Sequence, residues 1–177
     1  MPEVVLHDNA ILGGSGGDRR DDTVVTTGRI ARIRYREGEW MDAFGFDEIV
    51  GGAVLPHEVW GGDGGTGFTY PGDPEDVIPD WAYINGIYVQ WGNYIDFIKL
   101  YIWNRASGEH WETLRMGKEK RVPADREKEY YFDPKTGNNR EICGFAARSH
   151  TYLDAIGIYV RQHQVLQSKA QSGASHF

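Results

Sequence analysis

Glu141 to Val160, EICGFAARSHTYLDAIGIYV, is mostly apolar after its first residue and carries one further carboxylate, Asp154. The same pattern occurs twice earlier, in Ile30 to Phe46 (IARIRYREGEWMDAFGF) and Ile84 to Leu100 (INGIYVQWGNYIDFIKL). The three align without a gap. Ile30, Ile84 and Ile142 open the aligned stretch, and Ile33, Ile87 and Phe145 follow three residues on. Then come Gly38, Gly92 and His150, an aromatic (Trp40, Tyr94, Tyr152), an aliphatic (Met41, Ile95, Leu153) and an aspartate (Asp42, Asp96, Asp154). Alternate apolar residues close each copy: Phe44 and Phe46, Ile98 and Leu100, Ile156 and Ile158. The copies lie 54 and 58 residues apart. A nearly fixed period means one supersecondary unit used three times, and three units in 177 residues point to a closed threefold domain rather than a long solenoid.

In the first copy the first half alternates, with Ile33 and Tyr35 on one side and Arg32, Arg34 and Arg36 on the other. That is the period of a half-exposed strand. Glu37-Gly38-Glu39 reads as a hairpin tip and Trp40 to Phe46 as the return strand. Two glycine loops stand outside the hairpins, Leu12-Gly-Gly-Ser-Gly-Gly-Asp18 and Trp60-Gly-Gly-Asp-Gly-Gly65. Such runs let another group approach the backbone closely. The third loop position holds Met116-Gly117-Lys118-Glu119-Lys120-Arg121, in which only one glycine is left. Residues 18–23 read as turn-like, 71–80 (PGDPEDVIPD) as a connection, and Tyr130 to Phe132 as a strand of the third unit. Each sheet built from such units is apolar on one face and must bury it. The expectation is an all-β domain over residues 1–160, followed by a polar tail, 161–177, with a helical turn around Val165 and Leu166.

Composition agrees with that architecture and excludes several functions. Aromatics make up 13% of the chain and glycines number 23, as suits many strands joined by turns. The net charge of −7 argues against nucleic acid, whose binding depends on Lys and Arg displacing counterions. Lys118, Lys120 and Arg121 read as a solvated loop. Cys143, the one cysteine, stands in an apolar run as a small buried side chain. No stretch approaches the roughly 20 apolar residues of a membrane span, and the N-terminus lacks the pattern of a signal peptide. The expected location is the cytoplasm, or outside the cell by non-classical secretion. No cofactor is called for: the six histidines are scattered without metal-ligand spacing.

Asp42, Asp96 and Asp154 are carboxylates among apolar residues at the base of hairpin tips, so each needs hydrogen-bond partners. One set of partners is the N–H groups of its own turn. The other is a ligand: an ionised carboxylate has about four acceptor sites and suits vicinal sugar hydroxyls. The tip N–H groups would add donors, and the aromatic would offer a flat face to sugar C–H groups.

GGSGG, the tip pattern G-x-aromatic-aliphatic-D and the closing GFAARSHTYLDAIGIYV resemble the jacalin-related lectins, over Leu12 to Val160. The resemblance implies a β-prism of three four-stranded Greek-key sheets that binds mannose-, glucose- or galactose-type sugars. By the family's pattern, Gly17 joins Thr151, Tyr152 and Asp154 in one site. Gly65 joins Gly38, Glu39, Trp40 and Asp42 in a second. Gly92, Asn93, Tyr94 and Asp96 form a third, weak or lost because its loop departs from the pattern. His150 stands where a glycine is usual, at the rim of the first site. The unbroken chain through GGSGG is similar to mannose-type members, so the expected partners are mannose- or glucose-type saccharides and their glycoconjugates. Two sites on one prism, or more in a homodimer, would gain effective concentration on a glycan-coated surface.

Two rivals bear on this reading. Paired carboxylates can cleave glycosides, but here three equivalent aspartates stand apart with no second acid recurring beside them, so an enzyme is not expected. The other rival is a protein-interaction module on the same scaffold with decayed sugar sites, motivated by His150 and the altered third loop.

Overall fold

The structure, a computed structural model, describes residues 3–21, 28–73 and 75–163. Its strands are β1 (Val5–Leu6), β2 (Leu12–Gly13), β3 (Asp18–Asp21), β4 (Arg29–Glu37), β5 (Met41–Val50), β6 (Ala53–Pro56) and β7 (Trp60–Gly61). There follow β8 (Thr66–Tyr70), β9 (Ala82–Trp91), β10 (Ile95–Asn104), β11 (Glu109–Gly117), β12 (Glu127–Tyr131), β13 (Arg140–Ser149) and β14 (Leu153–Gln162). The three repeated stretches are the long antiparallel hairpins β4–β5, β9–β10 and β13–β14. Each is widened to four strands, in the orders β6-β5-β4-β8, β11-β10-β9-β12 and β1-β14-β13-β3. In the first two, the fourth strand returns beside the first, which is Greek-key order. Two-residue strands β2 and β7 pair with β14 and β5. The fold is all-β, a prism of three four-stranded antiparallel sheets, as the sequence led one to expect.

The alternating positions after each aspartate form the common core. Phe44 and Phe46 have no exposed surface, and Ile98, Leu100, Ile156 and Ile158 at most 2%. Phe145 packs edge-on against Phe44 with ring centroids 4.8 Å apart, joining the first sheet to the third. Cys143 is buried beside the Tyr159 carbonyl, and burial pushes its thiol up to about 12, as expected of an inert core residue.

Three features differ from the sequence reading. Residues 18–21, read as turn-like, form edge strand β3 on β13. An edge strand pairs through its backbone, so DRRD needs no apolar alternation. The strand at Tyr130, read with the third repeat, lies in β12 and pairs with β9 of the second sheet. The third sheet instead takes its outer strands from the N-terminal segment, so β1 and β3 share one sheet with β13 and β14. Finally, β14 runs to Gln162, past the boundary drawn at 160, and Arg161 and His163 are buried at 5% and 4% exposure. The helical turn expected near Val165 lies outside the described residues.

Candidate functional site

All three hairpin tips stand at one end of the prism, and each glycine loop or its counterpart docks on one of them. The Gly14 N–H donates to the Asp154 carbonyl at 2.9 Å, the Gly62 N–H to that of Asp42 at 2.9 Å, and the Lys118 N–H to that of Asp96 at 2.8 Å. These bonds fix the register: Gly13 to Gly17, Gly61 to Gly65 and Gly117 to Arg121 are equivalent loops. The glycines are required by space as well as by backbone. Gly17 and Gly65 have φ of +72° and +67°, and a Cβ on either would come within 2.7 Å of an aspartate Oδ1.

The first cleft, about 470 Å³, gathers Gly17, Thr151, Tyr152 and Asp154, with His150 at its rim. Asp154 is 4% exposed and its Oδ1 has no hydrogen-bond partner among the described residues. Burial pushes the carboxyl above its ordinary value, against the charges of Arg148 and His150 and the His150 N–H. Asp154 Oδ1 lies against Gly17 and is itself buried, while the residue as a whole lines the cleft, so the carboxylate keeps acceptor capacity that no described side chain uses. His150 is tolerated at the tip because that backbone is not left-handed there. At the equivalent Gly92, a Cβ would meet only an Asp96 oxygen, at 3.9 Å.

In the second site, Gly38, Gly64 and Gly65 surround the Asp42 carboxylate, with Glu39 and Trp40 on the adjoining tip. Asp42 is 6% exposed, and burial raises its carboxyl against the opposing charge of Arg36. Among the described residues no ion pair reaches Asp42 or Asp154. Asp96 differs: the Lys120 ammonium lies 2.9 Å from its Oδ1.

Trp40, Tyr94 and Tyr152 also meet one another around the pseudo-threefold axis, with centroids 5.3, 5.1 and 4.6 Å apart. Tyr94 and Tyr152 also line the first cleft, together with Asn93. Each loop abuts a tip of another repeat: a Cβ on Gly14 would strike the Asn93 carbonyl, and one on Gly62 that of Thr151. Asn93 and Tyr94, assigned from the sequence to the third site with Gly92 and Asp96, therefore border the first.

Sequence reading missed the residues that clamp the loops. Arg36 donates to the carbonyls of Gly64 and Gly65 at 2.8 and 3.0 Å. Arg148 does the same to Gly16 and Gly17 at 3.0 and 2.7 Å. Gln90 takes the equivalent role by holding both the N–H and the carbonyl of Lys120. All three stand two residues before their tip residue, a regularity visible in the aligned repeats.

A second cleft, about 430 Å³, lies at the far ends of the hairpins, between Arg29, Tyr83, Glu141 and His163. It contains none of the hairpin aspartates. Arg161 Nε donates to Glu141 Oε1 at 2.9 Å. His163 Nδ1 is 3.5 Å from that oxygen, an ion-pair separation rather than a well-formed hydrogen bond, and its ring stacks on Tyr83 at 3.9 Å. Burial pushes the Glu141 carboxyl up, but His163 and Arg161 together hold it below its ordinary value.

No protein-family model matches the chain, and no curated protein matches it in sequence. Solved structures do. The wild-type Malaysian banana lectin superposes with a TM-score of 0.67 at 20% identity, covering 92% of this chain and 100% of that one. A mannose-binding jacalin-related lectin from Ananas comosus gives 0.67 at 20%, covering 92% and 99%. A mannose-specific jacalin-related lectin from Morus nigra, solved with mannose, gives 0.64 at 19%, covering 91% and 95%. The chain thus has the fold of the jacalin-related lectins over about nine-tenths of its length.

Proposed function

We propose that this protein is a carbohydrate-binding lectin, not an enzyme, and that it takes mannose- or glucose-type sugars at two tip sites. The first comprises Gly17, Thr151, Tyr152 and Asp154, and the second Gly38, Glu39, Trp40, Asp42 and Gly65. The observation that carries the reading is the pair of buried aspartates, each packed on a glycine loop and in no ion pair among the described residues, with Asp154 Oδ1 there lacking a hydrogen-bond partner. Ionised carboxylates accept charge-assisted hydrogen bonds from adjacent hydroxyls, and the side-chain-free loop leaves room for a pyranose ring. Mannose as the sugar is supported by the structural neighbours from Ananas comosus and Morus nigra, which bind it. Asp96, already paired with Lys120, is the weak or lost third site.

A glycan array with free mannose and galactose as competitors tests this. Capture by mannose- or glucose-terminated glycans, blocked by mannose and lost in Asp42→Ala/Asp154→Ala with the fold intact, is the expected result. A folded wild type that binds no glycan at high density would overturn it. In that case the interaction-module reading stands, and a partner bound equally by the double variant would support it.

A further inference from the structure

We infer that Lys120 is a built-in occupant of the third hairpin site, and that it sets the number of sugar sites on the prism at two. This deepens the sugar-binding reading and rests on it. The loop Gly117 to Arg121 docks on its aspartate as the other two do: Gly117 has φ of +85°, and the Lys118 N–H reaches the Asp96 carbonyl as Gly14 and Gly62 reach theirs. Register then places Lys120 where Gly16 and Gly64 stand. At those two positions even a Cβ would come to 3.0 and 2.6 Å from an aspartate Oδ2. The glycines keep clear the ground in front of the carboxylate, and Lys120 fills it.

Its ammonium is held on three sides. Nζ donates to Asp96 Oδ1 at 2.9 Å and to the Glu39 carbonyl at 3.1 Å, and it lies 5.8 Å from the centre of the Trp40 ring. An ammonium has three donors and no acceptor, so against a carboxylate, a carbonyl and a ring face it presents the polarity that sugar hydroxyls would present. Its backbone is fixed in turn, both N–H and carbonyl, by the Gln90 amide. Lys118 adds a second tie to the same tip, with Nζ 3.2 Å from Glu39 Oε1. The third site is therefore a built site closed from within. An incoming sugar would have to displace an intramolecular ligand that is already in place.

Lys120→Gly removes that ligand and restores the glycine found in the other two loops. Amide shift changes in the 15N-labelled full chain, titrated with methyl α-mannoside, separate the sites. Asp96 and Gly117 report the third site alone, Gly17 and Asp154 the first, and Gly65 and Asp42 the second. In the wild type, saturable shifts are expected at the first two only. In Lys120→Gly they are expected at all three, with the third Kd within about tenfold of the others, and in Lys120→Gly/Asp96→Asn at the first two again. Lys120→Ala, which loosens the loop backbone less than glycine, should show the same gain more weakly and serves if the glycine variant does not fold. The inference is overturned if folded variants respond at the first two sites and not at Asp96 and Gly117, or if the wild type already responds there. Silence at every site in every protein would instead overturn the sugar-binding reading on which it rests.

Discussion

At the scale of single residues, the tip aspartates set function against stability. Burial raises the carboxyls of Asp42 and Asp154 above their ordinary value. Their protonated forms are therefore favoured in the fold, and ionisation costs stability that would be fully present below the unfolded-state value and is lost as pH rises through the raised one. At neutral pH, Asp154→Asn should keep or increase the melting temperature while weakening sugar binding at the first cleft roughly tenfold or more, since hydrogen bonds to a charged group contribute about 1.5–3 kcal/mol. Calorimetric melting beside a sugar titration checks both halves; a destabilised variant would mean that Asp154 is structural. The same shift fixes the pH dependence of binding. As the ionised carboxylate is the acceptor, affinity should begin to fall on acidification at a pH above that of an ordinary aspartate. Titrations with methyl α-mannoside from neutral to acid pH, with unfolding followed in parallel, measure it.

At the scale of elements, the clamp on each glycine loop matters more than the loop's composition. Five residues with little side chain carry high conformational entropy, and each loop is held at its carbonyls by a side chain from the neighbouring hairpin. Arg148→Ala should loosen Gly16 and Gly17 and weaken the first site by about 1–2 kcal/mol while leaving the second unchanged; Arg36→Ala should do the reverse. Residue-resolved titrations of the two variants read this directly, and equal losses at both sites would refute separate clamps. The aromatic cluster works at this scale too. Trp40, Tyr94 and Tyr152 tie the three tips together, through ring pairs worth roughly 0.5–1.5 kcal/mol each beyond their burial.

At the scale of the whole molecule, the two ends of the prism are built differently. One end presents the tips; the other buries Glu141 with Arg161 and His163 between the first, second and third sheets. Removing one member of a buried ion pair leaves an uncompensated charge, so Arg161→Met should cost about 3–5 kcal/mol in urea unfolding. Glu141→Gln/Arg161→Met should recover part of it. The Glu141 carboxyl lies below its ordinary value, so its contribution is present above the unfolded-state value and is lost as pH falls through the lowered one. A neutral result for Arg161→Met would show that the cluster is incidental. The shared third sheet has a further consequence: Asp154 depends on a loop and edge strand from the opposite end of the chain.

What the sequence determined by itself was whatever repeats. Alternation with period two marked the long hairpins, and their triplication called for three sheets around a common core, because each sheet has one apolar face to bury. The position of an aspartate after every tip, and the loss of glycines from one loop of three, were equally plain in the aligned copies. Only the tertiary structure decided what non-local pairing decides. Edge strands such as Asp18–Asp21 and Glu127–Tyr131 are held by backbone hydrogen bonds, which leave no apolar pattern to read. The arginine clamps, the three-ring cluster on the axis and the Lys120 bridge to Asp96 join residues 24 to 132 positions apart, with partners chosen by the closure of the prism rather than by any local preference of the chain.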